Sequence, residues 1–304
     1  MRERCVAALY LLAWYVVPRM PESWAAAVFR LFGDIAWRRQ GPGVRRLEAN
    51  LARVAPDADG KELRALSRAG LRSYMRYWLE TFRLPTYGRD RIVGRMDVDG
   101  YEKIEALFRS ERGVLVALPH MGNWDHAGAW TAMVGMPFTT VVERLRPESL
   151  YRRFVAHRES LGMEVVPLTG GPNVPGTLAR RLRAGGLVCL VADRDLSDSG
   201  VEVKMFGEPA SLAAGPAALA LQTGAALVPI TLWFTDGGWG ARVHDEIPVP
   251  ADGDRAGKIA AMTQALADRF AAGIAEYPQD WHMLQRIFRT DADVPAAGPA
   301  GERR

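Results

Sequence analysis

The stretch GVLVALPHMGNWDHAG, residues 113–128, decides the fold class. GVLVAL is a short unbroken apolar run of the kind that forms a strand covered on both faces, and NWDHAGAWTAMVG after it reads as a helix. His120 then falls in the turn between them, flanked by Pro119 and Gly122, just past the carboxyl end of the strand. That edge of an α/β sheet is where ligands are commonly bound.

Outward from this stretch the same alternation recurs. Upstream, MDVDG leads into the helix YEKIEALFRS. Downstream, FTTVVE precedes PESLYRRFVAHRESLG, EVVPL precedes PGTLARRLRAGG, and LVCLVAD follows. The helix AAGPAALALQTG then leads to ALVPITLWF and WGARVHDEI, and the last helix is DRAGKIAAMTQALADRFAAGIAEYP. Strands alternating with helices predict an α/β protein with a mixed, largely parallel central sheet flanked by helices. From Pro21 to about Leu84 the pattern is helical instead, with at least two long amphipathic helices that feed the sheet. We therefore expect a single α/β domain over residues 21–288. The tail RTDADVPAAGPAGERR, within 289–304, is small, polar and proline-bearing, the composition of a disordered segment.

Residues 1–20 stand apart. Thirteen consecutive apolar residues, Cys5 to Val17, lie between Arg2, Arg4 and Arg19. A spanning helix needs about 20 such residues, and no small-residue cleavage site follows, so neither a membrane span nor a signal peptide is expected. The segment reads as an interfacial helix lying in a membrane surface; an ordinary buried first helix is the alternative. Five arginines in 37–53 suit lipid headgroups as well as a solvated helix face.

Composition narrows the function classes. The chain has 304 residues, 48% of them hydrophobic, and carries a net charge of +4, enough apolar content for a sizeable core and a mild bias toward anionic partners. On charge alone nucleic acid and an anionic membrane surface both remain open; with the apolar segment 5–17 beside the arginines, an anionic membrane surface and no nucleic acid is the partner expected. Cys5 and Cys189 lie in unlike contexts, as in a reduced compartment. The histidines at 120, 126, 157, 244 and 282 lack metal-ligand spacing, so no metal is expected. No Gly-x-Ser-x-Gly elbow is present, and LTGGPNVPG lacks the Gly-Lys-Ser/Thr ending of a phosphate cradle.

The chemistry-bearing residues gather at predicted strand ends. Asp125 lies five residues after His120, at the entrance of the next helix, where a turn would fold its carboxylate back onto the imidazole. A carboxylate on one ring nitrogen sets the tautomer and raises the basicity of the other, as a general base requires. His126 should point elsewhere, because adjacent helical positions diverge by about 100°. Glu143 and Arg144 end a second strand, with Arg152, Arg153 and Arg158 on the helix beyond, and Asp193, Arg194 and Asp195 end a third. If these strands are neighbours, the clusters converge on one edge, either as a polar cleft or as an ion-pair network closing the sheet. Of the tryptophans at 124, 130, 233, 239 and 281, one or two are expected to line an apolar groove. His282 in DWHML is expected to be a hydrogen-bonded structural residue.

The blocks PHMGNWDHAG, VVERLRPESLYRRF, HRESLG, ADRDL, FGEPASLAAGPAALALQTGAALVP and DWHML together resemble the lysophospholipid and lipid A acyltransferase superfamily over about residues 20–288. Within it they are most similar to the actinobacterial branch that moves a fatty acyl chain from acyl-CoA to a mannose hydroxyl of a phosphatidylinositol mannoside. The resemblance implies His120 as general base, with Asp125 as the acid of a His-x-x-x-x-Asp motif. Asp193 occupies a position where the branch carries a glutamate that orients the histidine, so Asp125 and Asp193 both remain partners for His120. Glu143, Arg158 and Arg194 are implied as substrate-binding residues, and Gly207 as part of a loop near the acyl donor. The resemblance further implies acyl-CoA as co-substrate with no bound cofactor, a phosphoinositide glycolipid acceptor, and a monomeric peripheral protein on the cytoplasmic face of the membrane. A different lipid acceptor, or a non-catalytic lipid-binding protein, is the alternative.

Overall fold

A computed structural model describes residues 2–144, 146–171, 173–195 and 200–288. Four helices come first, α1 (Arg2–Val16), α2 (Glu22–Arg39), α3 (Pro42–Val54) and α4 (Gly60–Arg83), followed by the short α5 (Arg89–Gly94). The α/β part runs β1 (Met96–Asp99), α6 (Tyr101–Arg109), β2 (Val114–Leu118), α7 (Trp124–Met133), β3 (Phe138–Val142), α8 (Glu148–Ser160), β4 (Glu164–Pro167), α9 (Val174–Arg183) and β5 (Leu187–Val191). It continues through β6 (Val201–Met205), β7 (Glu208–Leu212), α10 (Gly215–Thr223), β8 (Ala226–Thr235), β9 (Gly238–Val243) and α11 (Arg255–Glu276). Among the described residues the main sheet has the strand order β1-β9-β8-β2-β5-β3-β4, and within it only β8 and β9 pair antiparallel. This is the mixed, largely parallel sheet expected from the alternation of strands and helices.

The strand β2 shows why the sheet is covered on both sides. All five of its residues are buried. Leu115 and Ala117 join the core beneath α9, α10 and α11, whereas Val114, Val116 and Leu118 join the core beneath α6 and α7. A strand in this position has no solvent face, so its sequence is a continuous apolar run rather than an alternation.

The hairpin β6–β7 is an addition to the expected elements. Its tip, Phe206–Gly207, has φ of +49° and +84°, a two-residue turn whose twist matches that of the strands it joins. Gly207, implied above in a loop near the acyl donor, is half of that tip.

The helical region packs on itself and on the sheet. The α4 amino end carries a full capping box, with Asp59 accepting from the Lys61 and Glu62 amides while Glu62 accepts from the Asp59 amide. Asp34 of α2 receives Arg68 and Arg72 of α4 in two bidentate pairs, each closing at 2.7 Å. Trp14 and Val17 are buried against Leu79 and Phe82 of α4 and Leu150 and Phe154 of α8.

The first helix nevertheless shows two faces. Leu9, Leu12 and Tyr15 are each more than half exposed, and Trp24, Leu31 and Phe32 extend the patch onto α2. One side of α1 is thus buried, as in the alternative reading of residues 1–20, and the other is exposed. Among the described residues no helix is long and apolar enough to cross a membrane. The tail expected to be disordered, 289–304, lies outside the described residues.

Candidate active site

Strand register, rather than the local turn, assembles the centre of the site. The parallel strands β2 and β5 are neighbours, with Leu118 opposite Val191, and the Ala192 amide donates to the Leu118 carbonyl at 2.8 Å. Two residues further along each chain stand His120 and Asp193, so matched register and matched parity place them side by side. Asp193 Oδ1 lies 2.6 Å from His120 Nδ1, and Asp193 Oδ2 accepts from the His120 amide at 2.9 Å. Asp193 is fully buried, while the His120 side chain is about a third exposed. Burial pushes the Asp193 carboxyl up. The charge of His120, with hydrogen bonds from His120 and Trp281, more than offsets this and holds the carboxyl below its ordinary value. An ionised Asp193 assigns the proton to His120 Nδ1 and leaves the lone pair on Nε2.

Asp125 does not fold back onto the imidazole, which corrects the expectation drawn from the five-residue spacing. Its Oδ1 accepts from Arg158 Nε at 2.7 Å and its Oδ2 from the Tyr77 hydroxyl at 2.9 Å. The cause is helical geometry. Asp125 sits in the first turn of α7 and projects toward α4 and α8, away from the β5 edge that carries Asp193. Burial raises the Asp125 carboxyl, and the charges of Arg158 and His157 with the hydrogen bonds bring it below the ordinary range. Arg158 is correspondingly a buried ion-pair partner whose guanidinium is committed to Asp125, with only 15% of its side chain exposed.

The turn residues are individually required. Gly122 has φ of +58°, and a Cβ there would stand 2.9 Å from the Leu232 carbonyl carbon of β8. Its amide donates to the Asp280 carbonyl at 2.9 Å, so it is already committed within the protein. Asn123 caps α7 by accepting from the His126 amide, and its own amide nitrogen donates to the buried Glu80 of α4 at 2.7 Å. His126 does point away, stacking on Trp239 with ring centroids 3.6 Å apart.

The three charged strand ends do converge, since β2, β5 and β3 are consecutive in the sheet. Glu143, at the end of β3, is half-exposed and pairs at 3.6 Å with Arg194, the residue after Asp193. Arg144 instead pairs with Glu148, and Arg153 lies over the Trp14 ring. Trp281 was legible only as a core or rim aromatic; its Nε1–H donates to Asp193 Oδ2 at 3.0 Å. No spacing rule points to it, because 88 residues separate the pair.

A largely apolar cavity of about 90 Å³ lies between the sheet and α7. Trp124 and Leu118 line it, Cys189 and Val191 contribute from β5, and Phe138 and Met163 also line it. Trp124 meets the His120 ring edge-on at 5.5 Å. A Cβ on Gly128 would come within 2.6 Å of Met163 Cε and 3.0 Å of Phe138 Cζ, so α7 can approach these two side chains only with glycine there. Burial raises the Cys189 thiol well above its ordinary value, leaving it an apolar wall residue rather than a nucleophile.

An imidazole oriented by a buried carboxylate, with its second nitrogen toward solvent and a narrow apolar cavity beside it, is equipped to take a proton from a hydroxyl while an apolar chain is held nearby. The chain belongs to the bacterial lipid A biosynthesis acyltransferase family, whose model matches residues 1–290. Two similar relatives are each called a phosphatidylinositol mannoside acyltransferase. The one from Mycolicibacterium smegmatis is 50% identical over 93% of this chain and 91% of its own. The one from Mycobacterium tuberculosis is 46% identical over 93% of this chain and 88% of its own.

Proposed function

We propose that the protein transfers a fatty acyl group, palmitoyl in the first instance, from acyl-CoA to a mannose hydroxyl of a phosphatidylinositol mannoside. The observation that carries this reading is the His120–Asp193 pair, whose imidazole meets Trp124, a lining residue of the apolar cavity. The relatives' names supply the acceptor.

In this mechanism the thioester carbonyl stands beside His120 and the adjoining part of the acyl chain enters the cavity past Trp124. Nε2 accepts the proton of the acceptor hydroxyl as its oxygen attacks that carbonyl carbon. The tetrahedral intermediate collapses, the C–S bond breaks, and the imidazolium returns the proton to the departing thiolate. A thioester is already activated, so the step needs neither a metal ion nor an acyl-enzyme. General-base help is worth roughly 10²- to 10⁴-fold, and the remainder comes from holding the two substrates in register. Asp193 orients the base, Glu143 and Arg194 face the acceptor sugar, and Arg158 acts through Asp125.

The acceptor is a lipid, and the exposed apolar patch on α1 and α2 is suited to the surface that holds it. Leu9, Leu12 and Trp24 would enter the lipid boundary, with Arg30, Arg38 and Arg39, exposed further along α2, for anionic headgroups on the cytoplasmic face. The opposite face of α1 places Trp14 4.7 Å from Phe154 and 5.8 Å from His157, the residue before Arg158. Serine at Leu9, Leu12 and Trp24 together should abolish flotation with phosphatidylinositol-containing vesicles; undiminished flotation would remove this part of the reading.

Transfer of labelled palmitate from palmitoyl-CoA to purified phosphatidylinositol mannosides tests the whole. Wild type should acylate the acceptor and His120→Ala should lose at least 10²-fold in kcat. Activity on lysophospholipids but not on the mannosides would overturn the acceptor, and activity retained in His120→Ala would overturn the mechanism. Glu143→Ala should raise KM for the acceptor more than for acyl-CoA.

A further inference from the structure

The segment Asp280-Trp281-His282 touches the His120 turn at every residue. The Gly122 amide donates to the Asp280 carbonyl at 2.9 Å, Met121 and Trp281 form an isolated antiparallel bridge, and the His282 amide donates to the His120 carbonyl at 2.7 Å. The Trp281 indole then reaches across to Asp193. All three residues are buried, Trp281 completely.

The segment is itself pinned from two sides. Asp280 Oδ2 accepts from the Phe234 amide of β8 at 2.9 Å, and Oδ1 accepts from the Ser73 hydroxyl of α4 at 2.6 Å. Ser73 Oγ also lies 2.9 Å from His282 Nε2. A hydroxyl has one proton, so with Ser73 donating to Asp280 the His282 ring must donate to Ser73 from Nε2, leaving Nδ1 bare. That nitrogen is buried without a partner, which suits a ring kept neutral.

We propose that Trp281 is a positioning residue for the His120–Asp193 pair, and that Ser73 and Asp280 lock it in place. The proposal rests on the general-base reading above. An aspartate with one oxygen on the imidazole can rotate about its side-chain torsions unless the second oxygen is also tied. Here that oxygen receives two donors, the His120 amide and the Trp281 indole. The indole proton also draws charge toward Oδ2 and away from the oxygen facing His120. Loss of that donor leaves Oδ2 held by the His120 amide alone and concentrates charge on the oxygen facing His120, which favours a protonated imidazole.

The test compares Trp281→Phe, which keeps an aromatic ring but no donor, with Ser73→Ala, which keeps the indole but removes its lock. Trp281→Phe should lower kcat about tenfold with both KM values within about twofold, and move the acid limb of the pH–rate profile upward by about half a unit. Ser73→Ala should move both quantities in the same direction by less. In parallel, the downfield proton resonance of the His120 Nδ1–H···Asp193 bond, assigned by its loss in His120→Ala, should shift in both variants. A folded Trp281→Phe whose rate, profile and resonance all match wild type would overturn the proposal. So would a lowered rate with an unmoved profile and resonance, which would mark Trp281 as a packing residue only. If wild type acylates no mannoside but the resonance moves, positioning stands and the substrate reading fails.

Discussion

Two buried aspartates flank the entrance of α7 and hold opposite kinds of partner. Asp193 binds an imidazole at 2.6 Å and an indole at 3.0 Å, and Asp125 binds a guanidinium at 2.7 Å and a phenol at 2.9 Å. In each, burial raises the carboxyl and the partners bring it below its ordinary range. The guanidinium stays charged at any working pH, so Asp125–Arg158 is a permanent ion pair that ties α7 to α8. The His120 side chain is instead about a third exposed, so Asp193–His120 is a pair open to solvent. Equal burial of the two carboxylates and similar distances thus serve fixed architecture in one place and, in the mechanism proposed above, proton transfer in the other.

Removing each carboxylate in turn separates the two roles. Asp193→Asn keeps the shape but presents an amide to Nδ1 and no longer selects the tautomer with a free Nε2. The acyl transfer rate should fall about 10²- to 10⁴-fold, with the thermal midpoint nearly unchanged. An equal loss of rate and stability would mean that Asp193 is architectural too.

Asp125→Ala should act the other way, chiefly on stability, because it strands the Arg158 charge in a buried site. Denaturant unfolding should show a loss of about 3–5 kcal/mol, and the double variant Asp125→Leu with Arg158→Met should recover much of it. A stable Asp125→Ala protein with abolished transfer would reverse the roles assigned to the two aspartates.

The two histidines of the same stretch sharpen the contrast at smaller scale. His126 is buried on Trp239, and neither ring nitrogen finds a hydrogen-bond partner in the described structure. Burial first, then the charges of Arg91 and Arg76, push its pKa down to about 3. Below the unfolded value near 6.5 the unfolded chain takes up a proton that the folded protein refuses, so stability falls as pH drops from about 6.5 toward 3. Between pH 7 and pH 5 this amounts to about 2 kcal/mol, which His126→Phe should remove from the pH dependence of urea unfolding. An unchanged dependence would place the titrating groups elsewhere.

Much of the architecture was legible because it depends on local pattern. GVLVAL, bounded by glycine and proline, had to be a covered strand, and its placement put His120 at a sheet edge whatever the remaining order of strands. The hairpin β6–β7 is harder to read because VEVKM alternates over only five residues, its partner EPASL carries a proline, and the turn lacks the usual asparagine or aspartate before glycine. The double-faced character of α1 was also hidden, since an apolar run records hydrophobicity without saying which side another helix will cover.

The sequence by itself determined the fold class, the turn that carries His120 and the charged strand ends around it. Period and composition act over a few residues, and those features need nothing more. Only the tertiary structure decided that Asp193 rather than Asp125 meets His120, and that Trp281 and Ser73 stand behind the pair. Those contacts are set by the register of β2 against β5 and by the seating of residues 280–282 on α4, and distances along the chain carry no trace of either.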